Sequence, residues 1–344
     1  MSRSLGVGLL GLGRHGQRYA GHLARGDIRG ARLVAVWRRD RAAGRRDSRL
    51  YGVALAPTPL ALCERRDVDI VAVVLPPGLY PPLVEAAAQA GKAILLEKPL
   101  AATTDAARRI LRAVRQAHVP AMVAHTLRFD SRVRALVRAV RKLGPVRTLH
   151  CVHHLPNRGL RWESEAAHGP GGILHQTATH GLDLIRFITG REARRVSCLA
   201  WRVRNPRLPD AALIRVELAG RATAAVSVGK VSAGLSHAIE AVCDGGIVRA
   251  DLVTGRLTVS WGGSGTRRPR QREWVVPATP TIPLALSAFA QAIRAGRAPP
   301  VPLDDAAQTH ALVEAAVTSA RLGGAPVLRR VRACLEVTPP PRRA

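Results

Sequence analysis

From Leu5 the chain runs through Leu5-Gly6-Val7-Gly8-Leu9-Leu10 straight into Gly11-Leu12-Gly13-Arg14-His15-Gly16. A short apolar run followed by glycines at this spacing reads as a buried strand, a tight turn and a helix that starts at once, near Arg14. Gly11 permits the turn, Gly13 lets a pyrophosphate approach the backbone, and Gly16 allows close contact between helix and strand. The same rhythm continues. Strand-like runs at 32–37, 69–75, 93–96 and 120–124 alternate with helical stretches at 79–90 and 103–117. Thr103-Thr104-Asp105 offers a cap with an acidic first turn, and Gly91 ends the helix before it. Apolar strands alternating with helices require a parallel sheet covered on both faces.

After residue 145 the pattern changes. Runs at 146–155, 193–204, 211–218, 222–231, 237–243, 246–252 and 256–261 are dense enough for an antiparallel sheet, with turns such as Asp244-Gly245-Gly246. One helix, 173–188, interrupts this series, and two, 284–295 and 304–322, close it. Residues 262–272 read as a polar, basic loop. The expected fold class is α/β: an N-terminal Rossmann dinucleotide-binding domain, 1–124, then an α+β domain with a mostly antiparallel, open-faced sheet, 125–337. A Pro/Arg-rich tail, 338–344, follows.

The chain's 344 residues suffice for two cores. Its net charge of +29 raises the question of a nucleic-acid partner. Lysine, however, occurs only at Lys92, Lys98, Lys142 and Lys230, and the arginines are spread through every segment with no basic run or interleaved aromatics. That distribution is a solvated surface whose general field favours anionic ligands, nucleotides included, and no nucleic-acid partner is expected. Cys63, Cys151, Cys198, Cys243 and Cys334 are odd in number and lack CxxC spacing, which suits a reducing cytoplasm and not a disulfide or zinc framework. The one N-terminal apolar run is too short and too rich in glycine for a signal peptide or a membrane span.

The strand at 32–37 ends in Arg38-Arg39-Asp40, where an acidic residue would hold the ribose hydroxyls of NAD. Arginines there can pair with a 2′-phosphate, so Arg38 and Arg39 favour NADP, with NAD still possible and ordinary surface charge as the alternative. Pro76 and Pro77 stop the strand at 69–75 and shape a loop beneath a nicotinamide, with Tyr80 just past it. Glu97-Lys98-Pro99 puts a lysine at a strand's carboxyl end about 80 residues after the glycine turn, where open α/β sheets bind ligands. Lys98 there can donate to a substrate oxygen and join proton transfer, and Pro99 suits a cis bond. Further on, a helix starting near Gly172 would set Gln176, His180 and Asp183 on one face. His180 is then a candidate acid/base, Asp183 its orienting carboxylate, and His175 and Gln176 added hydrogen-bonding groups. No metal site is expected, because the spacing of His175, His180 and Asp183 matches no strong ligand motif.

Taken together these segments resemble the Gfo/Idh/MocA family of oxidoreductases. The resemblance rests on the glycine turn, the Pro-Pro loop, Glu97-Lys98-Pro99, His125-Thr126-Leu127-Arg128-Phe129, the Gly-Gly…His180-x-x-Asp183 helix and the closing stretches around Phe289 and Ala315. It implies a hydride moved between a nicotinamide and a carbinol or carbonyl of a sugar, polyol or related molecule, with Lys98 and His180 as the catalytic residues. It also implies a homodimer or homotetramer built on the open sheet face. Cofactor contacts are expected from Gly11, Gly13, Arg14, His15, Gly16, Arg38, Arg39, Pro76, Pro77, Tyr80, Glu97 and Lys98. Substrate contacts are expected from Gln176, Asp183, Arg128, Arg161 and Trp162, the last two alternatively anchoring a loop. The chain departs from the family pattern at Gln176, where an acid is common, at Tyr80, where histidine is frequent, and at Thr126, where asparagine is. An amide cannot exchange protons, which keeps a second expectation in view: dinucleotide binding without net turnover, as a sensor or in an elimination or glycoside cleavage.

Overall fold

The computed structural model describes residues 3–156, 172–263 and 268–328. Its first sheet contains β1 (Leu5–Leu10), β2 (Ala31–Trp37), β3 (Ala54–Leu55), β4 (Ile70–Val73), β5 (Ala93–Leu96) and β6 (Ala121–Val123). They lie in the order β3-β2-β1-β4-β5-β6, and every adjacent pair is parallel. The order reverses at β1, between β2 and β4, so a crevice opens where the chain leaves β1. Val7, Leu9, Leu10, Ile70, Val71, Ile94 and Leu96 are all fully buried, as strands covered on both faces demand.

The helices of this unit are α1 (Arg14–Ala24), α2 (Arg41–Tyr51), α3 (Pro59–Cys63), α4 (Tyr80–Gln89) and α5 (Thr104–Ala117). Three of them begin under a side-chain cap: Asp40 accepts from the Ala43 amide, Thr58 from Ala61 and Thr103 from Ala106. Each satisfies amides that a helix start leaves without an internal partner. α1 begins at Gly13 with no such cap and no acidic residue in its first turn.

The second sheet is larger: β7 (Val146–Pro156), β8 (Ala193–Trp201), β9 (Ala211–Leu218), β10 (Ala222–Ser232), β11 (Ser236–Cys243), β12 (Gly246–Asp251), β13 (Arg256–Trp261), β14 (Arg270–Val275) and β15 (Val327–Leu328). Its order is β14-β13-β12-β11-β7-β10-β9-β8-β15, antiparallel except where β7 meets β10. Strict alternation gives it two faces. In β9, Ala212, Ile214, Val216 and Leu218 are buried, whereas Leu213 is 48% exposed. α6 (Ser131–Leu143) and α7 (Thr179–Thr189) cover the buried face, and Leu199, Trp201 and Leu213 remain largely exposed on the other. α7 lies unusually close to the sheet: a Cβ at Gly181 would sit 2.6 Å from Val226 Cγ1, so only glycine allows this approach.

α8 (Thr281–Arg294) and α9 (Leu303–Arg321) follow. By mutual packing the chain forms two compact units, Met1–Ala124 with Ile282–Gln308, and His125–Thr281 with Thr309–Arg329. A sequence boundary after residue 124 does not foresee that α8 returns to the first unit. There the Ser287 hydroxyl accepts from the Arg29 amide at 2.9 Å, and Arg294 lies against Gly30. Two other elements differ from expectation. Arg270–Val275 is an edge strand on β13 whose first three residues fall within the loop expected at 262–272, because the polar start Arg270-Gln271-Arg272-Glu273 hides the period. α6 is a full helix, its apolar stripe Val133, Leu136, Val137 and Val140 set among arginines. No helix among the described residues is long and apolar enough to cross a membrane.

Candidate active site

In the first unit the glycine turn and the lysine-bearing strand end share one edge of the sheet. Gly11 has φ +97°, a conformation that favours glycine, and a Cβ at Gly16 would lie 1.9 Å from the Gly11 carbonyl oxygen. A Cβ at Gly13 would meet nothing within 4 Å. An open backbone face, uncapped amides and the positive end of the α1 dipole suit a pyrophosphate. Arg14 and His15 are exposed on the first turn of α1. At the end of β2, Arg38 donates to Asp47 Oδ2 at 2.7 Å. Asp47 Oδ1 accepts from Gln17 Nε2, whose Oε1 accepts from the Tyr51 hydroxyl, so the guanidinium is braced by a chain of side chains. Arg39 is exposed, and Asp40 is spent as the α2 cap. These residues fit a nicotinamide dinucleotide.

Glu97 ties the two motifs together. It is 7% exposed, and its Oε1 lies 2.8 Å from His15 Nε2 and accepts from the Tyr19 hydroxyl at 2.7 Å. Its Oε2 accepts from the Lys98 amide, and its carbonyl accepts from the Tyr80 hydroxyl at 3.0 Å. Burial acts to raise the Glu97 pKa. The hydrogen bond and charge of His15, the charge of Lys98 and the Tyr19 hydroxyl outweigh it and hold the carboxyl below its ordinary value. The Tyr19 and Tyr80 phenols are pushed well up, first by burial and then by the Glu97 charge, so both stay protonated donors. Lys98 is half-buried, and the Lys98–Pro99 peptide is cis.

This cluster corrects two expectations. Tyr80 is 0% exposed, so its ring offers no surface to a nicotinamide and serves to hold the strand end. Glu97 likewise acts from within the protein, positioning the turn and the lysine. Pro77 is buried and Pro76 half-buried, so of that loop Pro76 is the one proline with surface to offer.

In the second unit the chain enters α7 through a π-helical turn, Leu174–Ala178. The wider turn ends at Ala178, so Gln176 lies within it while His180 and Asp183 both lie in the regular helix α7. Gln176 and His180 are half-buried, but Asp183 is 1% exposed. Its carboxylate accepts a bidentate pair from Arg128, Nε at 2.9 Å and Nη2 at 2.6 Å, and a third bond from the Thr309 hydroxyl. Asp183 therefore holds the guanidinium of Arg128, itself 9% exposed, in a bidentate pair. His175 pairs with Glu314 at 2.9 Å, away from Gln176. No cluster among the described residues could hold a metal ion.

The groups that do accompany Gln176 and His180 were not singled out from the sequence. Lys230 Nζ donates to Gln176 Oε1 at 2.8 Å. The His180 ring lies 5.9 Å from that of His153, which stacks at 3.9 Å on His237. Burial, then the charge of Arg132, lowers the His237 pKa to about 4, so this ring is neutral. The available signals were the rarity of lysine and the opposite positions of His153 and His237 on paired strands. Arg161, Trp162 and the tail 338–344 lie outside the described residues.

Comparison with known proteins matches residues 5–125 to the family model of Gfo/Idh/MocA oxidoreductases with an NAD-binding Rossmann fold, and residues 130–249 to the C-terminal domain of the same family. An inositol 2-dehydrogenase of Saccharopolyspora erythraea is 30% identical over 76% of this chain and 79% of its own length. One from Rhizobium meliloti is 27% identical over 91% of this chain and 96% of its own. Among solved structures, an aldose-aldose oxidoreductase from Caulobacter crescentus, complexed with glycerol, superposes with a TM-score of 0.84 at 25% identity, covering 95% of this chain and all of that one.

Proposed function

The chain belongs to the Gfo/Idh/MocA family of oxidoreductases, and on that premise we propose that it transfers a hydride between NADP and a carbinol or carbonyl of a sugar, polyol or related small molecule. The observation that carries this reading is the joining of the glycine turn to the Lys98 strand end through His15 and Glu97. When bound, a nicotinamide supplies the hydride acceptor or donor. The protein's own part is divided. Gly13 and the α1 amides hold the pyrophosphate, and Arg38 and Arg39 pair with a 2′-phosphate, the reason for favouring NADP over NAD. Lys98 donates to the substrate oxygen and stabilises negative charge there, and His180 takes or returns the hydroxyl proton. Gln176 hydrogen-bonds the substrate without exchanging a proton. Catalysis in the cytoplasm by a homodimer or homotetramer, with no nucleic-acid partner, completes the proposal.

Titration of the purified protein with NADP and NAD, followed by a sugar and polyol panel read as reduced-nicotinamide absorbance, tests it. Lys98→Ala should lower kcat by about 1,000-fold with the nucleotide Kd changed less than about threefold. Unchanged turnover in that variant removes Lys98 from the reaction. The amide at Gln176 supports one other reading, tight dinucleotide binding without net turnover. Bound nucleotide in the purified protein with no reduction across the panel would favour it.

A further inference from the structure

His15 is the second residue of α1, in the first turn of the helix whose uncapped amides suit a pyrophosphate. Its side chain is 45% exposed, whereas that of its partner Glu97 is 8% exposed. Glu97 Oε1 lies 2.8 Å from His15 Nε2 and accepts from the Tyr19 hydroxyl, and Oε2 accepts from the Lys98 amide. The Tyr19 ring meets the imidazole edge-on at 5.6 Å and steadies its plane. A hydrogen bond between imidazole and carboxylate needs a proton between them. With one proton on the pair, keeping this bond leaves Nδ1 as a lone pair. For Nδ1 also to carry hydrogen, the pair must hold a second proton, whichever side of the bond the shared one rests on. The difference matters to a nucleotide, because phosphate oxygens only accept: an N–H donates to them and a lone pair repels them. Among the described residues no hydrogen bond is made at Nδ1.

We propose that the His15–Glu97 pair takes up a proton when the dinucleotide binds, so that His15 Nδ1 donates to a pyrophosphate oxygen. The inference rests on the nucleotide-binding part of the reading above and deepens it. The charged and titratable groups around the ring are Glu97 and Lys98 from the end of β5, Tyr80 from α4, and Arg14, Arg18 and Tyr19 on α1. The two phenols remain protonated, and a guanidinium does not give up its proton in a protein, so neither kind of group exchanges one here. Lys98 is the other member of that set able to take up a proton, and substitution separates it from the pair.

Calorimetry of NADP and NAD binding to the full chain at about pH 8, where ordinary imidazoles and phosphate monoesters have lost their protons, measures the uptake. Enthalpies in Tris and in HEPES differ by the number of protons exchanged times the difference in buffer ionisation enthalpy. The wild type should take up about half a proton with either nucleotide, since both carry the pyrophosphate. Its NADP Kd should accordingly rise about tenfold from about pH 7 to about pH 9. His15→Gln keeps a donor for Glu97 but cannot titrate. It should bind NADP about tenfold more weakly at about pH 7, take up less than about 0.1 proton, and shift Kd less than about twofold over the same range. Glu97→Gln should also abolish the uptake, because an amide can donate to Nε2 and leave hydrogen on Nδ1, and it serves should His15→Gln fail to fold. Binding without uptake by the wild type, or uptake that persists in either folded variant, overturns the proposal and leaves the oxidoreductase reading standing. Uptake with no nicotinamide reduction by any ligand upholds it and instead refutes that reading.

Discussion

Replacing Arg128 by leucine separates a structural guanidinium from a substrate-binding one. Arg128 makes two charge-assisted hydrogen bonds to Asp183, with 9% and 1% of the two residues exposed. Thr309 is the other hydrogen-bond partner of that carboxylate, and His125 Nδ1 stands 3.7 Å away. Removing the arginine leaves a buried anion largely uncompensated, which costs about 3–5 kcal/mol. In a unit of this size that corresponds to a fall of roughly 6–20 °C in Tm. Replacing both partners by leucine removes the buried charge as well as the bond, so the double variant should recover most of the loss, to within about 1 kcal/mol of the wild type. Urea titration monitored by tryptophan fluorescence and far-ultraviolet circular dichroism gives the four corners of the cycle, and NADP affinity serves as a control that should change less than about twofold. A single variant that loses under about 1 kcal/mol while its substrate KM rises 30-fold or more would overturn the assignment and return Arg128 to the substrate.

Three more tests act on single residues of one unit or the other. Arg39→Ala should raise the NADP Kd by about 10- to 100-fold and leave NAD within about twofold, and equal losses would remove the 2′-phosphate pairing. Gly13→Val should weaken nucleotide binding at least about tenfold with stability intact, because its Cβ enters open space. Gly16→Ala, whose Cβ meets a carbonyl oxygen, should instead lower stability by about 1–3 kcal/mol, and the reverse ranking in thermal melts would refute the turn geometry. His237 is depressed from 6.5 to about 4, so the unfolded chain binds its proton more readily. Stability is then unaffected above pH 6.5 and declines as pH falls toward 4, by up to about 3 kcal/mol in all. In His237→Phe that acid-side decline should shrink, and identical urea midpoints against pH for both proteins would contradict it.

The parts of this protein that are local in sequence were legible there. Leu5–Leu10, Ala93–Leu96 and Ala211–Leu218 were readable to the residue, since each is an unbroken apolar run or a clean alternation. The Thr103 cap was legible because its partner is three residues away. The π-helical turn was not, because a widened turn has no composition of its own. Arg128 and Asp183 stand 55 residues apart and Lys230 and Gln176 stand 54 apart, so only the packing of helix on sheet reveals either pair. Tyr80 was placed correctly in the chain but not in depth, since an aromatic residue after Pro-Pro-Gly-Leu serves a core or a rim equally well.

Glu97 sets a boundary on how the protein can be re-engineered. Contacts from the nucleotide turn, from α1 and from the Lys98 amide converge on one carboxylate, and Tyr80 holds the carbonyl of the same residue. Redesign around His15 therefore disturbs the backbone that carries Lys98, the residue proposed to act on the substrate. No hydrogen bond or ion pair among the described residues links Arg38 or Arg39 to that cluster, so the proposed 2′-phosphate contacts at the end of β2 can be altered with Lys98 left undisturbed.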